Sequence, residues 1–276
     1  MKVLVPIDFS DEAKHALNFA LGLQDTDISV IHVIEYPAGG AIDPIGMAIT
    51  TPYSADFVAM MQENATLKIE EFLAESTHSD KIDRIVEIGN PYTAINEVIV
   101  KNDVDLVVMG TKGASGVKEF LIGSNAEKVV RTSKCPVITL SKESHPRDIN
   151  NIVFATHLFD HPDDLMMHLK QLQEMFHATI HVVHVNTPNN FVRNVTANEA
   201  LKELVSKAML KNYSLNIYND VYEDQGILTF AQEIDADMIA MGTHGRKGLG
   251  HLVTGSLAED VVNHSKRPIW TYRYGK

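Results

Sequence analysis

Met109-Gly110-Thr111-Lys112-Gly113, nine further residues and Gly123-Ser124 recur 132 positions later as Met241-Gly242-Thr243-His244-Gly245, nine residues and Gly255-Ser256. Each copy follows an apolar run and precedes a helix signal. A glycine loop that leaves a strand and opens a helix can aim several backbone N–H groups at one phosphate, with the positive end of the helix behind them. Its recurrence at one period predicts a doubled fold. The chemistry predicts nucleotide binding.

The surrounding sequence follows the same doubling. In the first unit, apolar β-branched runs predict strands at 3–8, 28–34, 82–88, 105–109 and 136–140. Helices are predicted from a Ser10 cap to about 23, over 54–76, over 91–101 with Pro91 in the first turn, and from Ser124 to about 132. The second unit repeats this order. Its strands fall at 152–156, 179–185, 215–222, 237–241 and 268–272, and its helices at 163–176, 198–210, 226–234 and up to 264. The polar stretch 141–150, with Pro146, reads as a linker, giving domains 1–144 and 145–276. Apolar strands alternating with helices imply α/β units with parallel sheets covered on both faces. Ligands in such sheets sit beyond the strand C-termini, where both glycine loops lie.

The chain has 276 residues and 45% hydrophobic content, enough for two domains with their own cores. Net charge is −12: residues 1–144 carry 12 Lys+Arg against 21 Asp+Glu, and the remainder 12 against 15. Neither half offers the basic surface that nucleic acid or an anionic membrane would need. No apolar run reaches the length of a membrane span. The single cysteine, Cys135, excludes an intrachain disulfide and reads as a buried, inert thiol. Met1-Lys2-Val3-Leu4-Val5-Pro6 enters a strand without a charged leader and apolar segment, so a cytoplasmic location is expected.

Two readings of the loop stand side by side. In the first, Gly110, Gly113 and Gly123 make room for a phosphate and permit positive φ, Ser124 and Asn125 open the helix onto it, and Lys112 adds charge. In the second, Ser124-Asn125-Ala126-Glu127 and Ser256-Leu257-Ala258-Glu259 are capping boxes and the glycines serve turns. Identical spacing in two otherwise different halves favours the first.

With these residues in view, the chain resembles a tandem universal stress protein. That family's pattern of Gly, two residues, Gly, nine residues, Gly and Ser or Thr is matched by Gly110, Gly113, Gly123, Ser124 and by Gly242, Gly245, Gly255, Ser256. The opening Val3-Leu4-Val5-Pro6-Ile7-Asp8 and the strand ending His32-Val33 are similar too. The resemblance implies two five-stranded, doubly wound, Rossmann-like domains paired as a pseudo-dimer through their last strands. It implies ATP (or AMP or ADP) as ligand, with or without magnesium. Asp8 would contact the nucleoside and Val33 the base through its backbone. A homodimer of tandem units is a further possible assembly; the protein partner is unknown.

The halves are not equivalent. Aligning the first strands puts His157 on Asp8. A carboxylate accepts hydrogen bonds from ribose or an adenine amino group, whereas histidine is bulkier and accepts only one. The first half is therefore the expected nucleotide site. The second is empty, altered or specific for something else, with His244 and Arg246 available to an anion. The first half is also longer by about 17 residues between first strand and loop, chiefly at 37–60; this reads equally as a lid or as a surface excursion. Most of the 13 histidines lie in the second half. His157, His161, His181 and His184 invite a metal reading, but His181 and His184 face opposite sides of a strand and no cysteines complete a zinc set.

Three functions fit. One is a nucleotide-binding stress protein that senses or regulates. Lacking a Gly-Lys-Ser run, it would show at most slow ATP hydrolysis and is expected not to be an enzyme otherwise. An adenylating or nucleotidyl-transfer enzyme would need a Ser-Gly-Gly or His-x-Gly-His loop, where the chain has Pro6-Ile7-Asp8-Phe9-Ser10-Asp11. The third is a nucleotide-independent scaffold, or a binder of another small ligand in the second half.

Overall fold

The structure, a computed structural model, describes residues 1–35, 41–42, 48–49, 54–74, 76, 79–111, 122–159, 161–244 and 257–275. In the first unit the order is β1 (Lys2–Pro6), α1 (Asp11–Leu21), β2 (Asp27–Ile34), the two-residue strands β3 (Ala41–Ile42) and β4 (Ala48–Ile49), α2 (Ala55–Leu73), β5 (Asp83–Ile88), α3 (Pro91–Lys101), β6 (Leu106–Gly110), α4 (Ser124–Thr132) and β7 (Val137–Leu140). The second unit runs β8 (Asn151–Ala155), α5 (Asp163–Phe176), β9 (Thr179–Asn186), α6 (Asn194–Lys207), β10 (Tyr213–Asn219), α7 (Glu223–Glu233), β11 (Met238–His244), α8 (Leu257–His264) and β12 (Ile269–Tyr274).

All the long strands join one ten-stranded sheet, ordered β10-β9-β8-β11-β12-β7-β6-β1-β2-β5. Each unit thus contributes five parallel strands wound outward in both directions from its first strand. The last strands, β7 and β12, meet antiparallel, pairing Val137 with Thr271, Ile138 with Trp270 and Thr139 with Ile269. The excursion expected at 37–60 lies largely outside the described residues; β3 and β4 pair antiparallel within it.

Local chemistry fixes the helix starts. Ser10, Ser54 and Asn90 cap α1, α2 and α3 by accepting from the N–H groups of Ala13, Phe57 and Thr93, and Pro91 occupies the first turn of α3. Helix α6 starts and ends a few residues earlier than the sequence periodicity indicates. Its entry residue Arg193 makes no side-chain cap, so no cap residue marks the start. The linker is packed down. Pro146 lies so close to Gly22, at the end of α1, that a β-carbon there would come within 2.9 Å of its ring. Asp237 Oδ2 accepts from the N–H groups of Asn150 and Asn151, each at 2.8 Å, as Asp105 Oδ2 does from Lys2 in the first unit.

The two faces of the sheet are organised differently. Under α1, α2, α5 and α6 lies one apolar core that runs without interruption across both units, through Ile138, Leu140, Trp270 and Tyr272. On the opposite face α3 and α4 cover one core, and α7 and α8 another. Ile122 packs against both of these. Trp270 is buried at the joint, opposite Ile138. Trp270→Ala is expected to cost about 3–5 kcal/mol of unfolding free energy, the range for emptying a large aromatic site. Chemical denaturation followed by circular dichroism would measure it.

Candidate functional site

At the C-terminal edge of the first unit the chain turns away on either side of β1. There a cavity of about 310 Å³ opens, bordered by Asp8, Val33, Gly110, Gly123, Ser124 and Asn125 together with Thr111. Six separately predicted residues therefore come together. Gly113 lies outside the described residues, as does Lys112.

Each border has a local cause. Phe9 takes a left-handed conformation, φ 66°, which turns the chain sharply after β1. Its ring is held against His32, with centroids 4.5 Å apart, and edge-on to Phe72. The turn leaves the Asp8 carboxylate at the cavity, where Oδ1 accepts from the Ser10 hydroxyl at 2.5 Å and from the Ser10 N–H at 3.1 Å. The β1–β2 ladder ends at Pro6 and Ile31, and Val33, two residues on, borders the cavity. His32 Nδ1 donates to the Ile7 carbonyl at 3.0 Å.

The phosphate-type border is the start of α4. Its cap position is Gly123, φ −61°, with no side-chain cap, and Ser124 is already the first helical residue. The capping-box alternative therefore does not describe this helix. The first intrahelical bond runs from Glu127 N–H to Gly123 O, so the N–H groups of Ser124, Asn125 and Ala126 have no helical acceptor. All three residues border the cavity. So does Thr111, whose buried hydroxyl finds no hydrogen-bond partner among the described residues. Thr111 was not singled out from the sequence, although Met-Gly-Thr recurs in both loops.

One expectation is corrected. Neither Gly110 nor Gly123 adopts positive φ; among the described glycines only Gly89 and Gly275 do. The space beside Gly110 is taken by protein: a β-carbon there would lie 2.7 Å from Glu12 Cβ and 3.0 Å from its backbone carbon. Glycine at 110 lets α1 close onto β6.

The second unit arranges the same positions differently. The corresponding space measures about 20 Å³ and is bordered by His157, Leu165, Glu223, Gly242, Leu257 and Tyr274. A β-carbon on Gly242 would strike the Tyr274 ring at 2.5 Å and Leu165 at 2.8 Å. Glu223, first residue of α7, reaches His157 Nδ1 at 3.5 Å, and Leu257 stands where the first unit has Asn125. Burial pushes the Glu223 carboxyl above its ordinary range, with His157 partly opposing. Gly245, Gly255, Ser256 and Arg246 lie outside the described residues.

The histidines are engaged singly. His181 contacts Ser214 Oγ at 2.8 Å and Asn151 Oδ1 at 3.1 Å, His161 Nε2 the Leu158 carbonyl, and His184 Nδ1 the Thr156 carbonyl, matching His32 in the first unit. Among the described residues no three His, Cys, Asp or Glu gather to hold a metal. Cys135 is buried and its thiol is pushed up to about 11, chiefly by burial, which keeps it protonated at neutral pH. Among the described residues no helix is long and apolar enough to cross a membrane.

Two outcomes follow from this geometry. Gly110→Ala is expected to lower the unfolding free energy by about 1–3 kcal/mol with no ligand present, because its β-carbon meets α1; denaturant titration checks this. Glu223, raised in the folded state, favours folding below its ordinary value near 4.5 and loses that contribution as pH rises through the raised value. Glu223→Gln should therefore raise Tm at pH 7, with the gain fading below pH 4.5. Calorimetric melts of both proteins across pH would show it.

Comparison with known proteins agrees with this architecture. The profile of the universal stress protein family matches residues 1–141 and again 218–273. Universal stress protein MJ0531 of Methanocaldococcus jannaschii is 29% identical over 154 residues, covering 51% of this chain and 82% of that protein. The crystal structure of a universal stress protein from Archaeoglobus fulgidus is similar along 99% of this chain and 98% of its own, with TM-score 0.74 and 22% identity. Protein PA1789 of Pseudomonas aeruginosa covers 99% of this chain and 92% of its own, with TM-score 0.61 and 15% identity. With its repeated parallel sheet and its two profile matches, the chain belongs to the universal stress protein family.

Proposed function

We propose that this protein binds one adenine nucleotide per chain, in the first unit, and acts as a sensor or regulator in a stress response, with at most slow ATP hydrolysis. The observation that carries this reading is the cavity of about 310 Å³ bordered together by the uncapped start of α4, by Thr111 and by Asp8. That size falls at the lower end of pockets that hold small molecules.

The residues fit such a ligand by chemistry. The N–H groups of Ser124, Asn125 and Ala126 and the helix dipole suit phosphate oxygens. The Asp8 carboxylate suits hydroxyl donors of a ribose. Val33, Ile31 and Ile95 offer main chain and apolar surface to a base. No carboxylate set gathers beside the helix start among the described residues, so magnesium would arrive as the phosphate's own counter-ion. The divided core on one face supports a boundary at 144/145. The space of about 20 Å³ in the second unit argues against a second equivalent site, and Gly242, Gly245, Gly255 and Ser256 are then relics of the repeat.

Isothermal titration of the purified chain with ATP, ADP and AMP, alongside mass spectrometry of any copurified ligand, tests the reading. Binding of one equivalent is expected. Gly123→Val, which places a branched side chain over the free N–H groups, should weaken it more than about tenfold; Asp8→Ala should weaken it about tenfold. A chain that binds no adenine nucleotide, or a Gly123→Val protein that matches wild type, would overturn the proposal in favour of a nucleotide-independent scaffold.

A further inference from the structure

The start of α4 is not held by its own unit alone. The Ile122 N–H, just before the Gly123 cap, donates to Asn263 Oδ1 at 2.6 Å, and Asn263 belongs to α8 of the second unit. The next amide, Gly123 N–H, donates to the Thr111 carbonyl at 2.6 Å. Two successive amides are thus fixed from different units, and the three that follow are left for the cavity. The Ile122 side chain is wedged between the α3–α4 core and the α7–α8 core. At the other end of the helix, Arg273 Nη1 of β12 donates to the Thr132 carbonyl at 3.5 Å, placing a cation at the negative end of the helix. The second unit therefore grips α4 at both ends.

The repeat does not conserve the Asn263 acceptor. The repeat aligns Asn263 with Arg131, which has only donors and turns to Glu127 of its own helix at 3.1 Å. Arg131 cannot offer the acceptor that Asn263 supplies. In the unit with the large cavity, the entry to α4 is anchored from outside.

We propose that Asn263 is a positioning residue for the first unit's site: it fixes Ile122, directly before the Gly123 cap of α4, so that the second unit, whose own cleft is filled, serves as part of the first unit's phosphate-binding apparatus. This rests on the reading that the first cavity holds a nucleotide. Orienting the amides before the ligand arrives removes an ordering cost from binding. Because the anchor touches the phosphate end only, it should affect ATP and leave adenosine alone, a distinction that general destabilisation does not make.

The test uses the full chain and compares wild type with Asn263→Ala by titration with ATP and with adenosine, and by hydrogen exchange at the Ile122 amide. Loss of one such hydrogen bond predicts ATP binding weakened about five- to tenfold, with adenosine within about twofold. Exchange at Ile122 should accelerate. Should Asn263→Ala fail to fold, Asn263→Gln, which displaces the acceptor by one methylene, carries the same expectation. Equal weakening of both ligands, no change in either, or unchanged exchange at Ile122 would overturn the proposal. A wild-type chain that binds neither ligand would instead remove the nucleotide reading, and Ile122 exchange in the variant would still decide whether Asn263 is an anchor.

Discussion

The antiparallel pairing of β7 with β12 is the constraint on which the rest of the molecule depends. Each unit's sheet would otherwise end in an exposed edge strand of apolar residues, a surface that invites association. Joining the two edges removes both, buries Ile138 and Trp270, and makes one sheet of ten strands. Thr139 and Thr271, both buried there, turn their hydroxyls to carbonyls across the joint, toward Ile269 and Val137. Polar side chains at the seam are thereby satisfied within it.

This pairing sets the relation between the halves. It merges the core on one face into a single body while the other face keeps two cores with Ile122 between them. It also brings α8 beside the loop that enters α4. Stability and site geometry consequently share one interface. A tandem chain makes that interface permanent, and its two sides are free to diverge.

The divergence is visible in how each unit fills its own cleft. In the first, Asp8, Asn125 and an uncapped helix start leave space and polar groups without bulk. In the second, a few larger side chains, His157, Glu223, Leu257 and Tyr274, occupy the same region. The partly buried Glu223 carboxyl lies 3.5 Å from His157, and both border the small second cleft.

Much of this was legible in the sequence. The strands and helices follow from apolar periodicity and from the caps Ser10, Ser54 and Asn90, because those signals are local. The repeat gave the doubled sheet, and the contrast of Asp8 with His157 marked the halves as unequal. Other features depend on atoms far apart in the chain. Gly110 looks like a ligand-approach glycine until α1 is seen against it; Ser124 looks like a cap until the backbone makes it the first helical residue. Glu223 and Tyr274 carry no motif, and only packing brings them to the second cleft. Asn263 lies 141 residues from its partner Ile122, and nothing in either neighbourhood announces the bond. Sequence alone determined the repeated fold, because periodicity and motif spacing are properties of the chain. That Glu223 and Tyr274 crowd the second cleft, and that Asn263 bonds the Ile122 amide, was decided only by the tertiary structure, because both depend on side-chain volumes and hydrogen bonds between segments far apart in the chain.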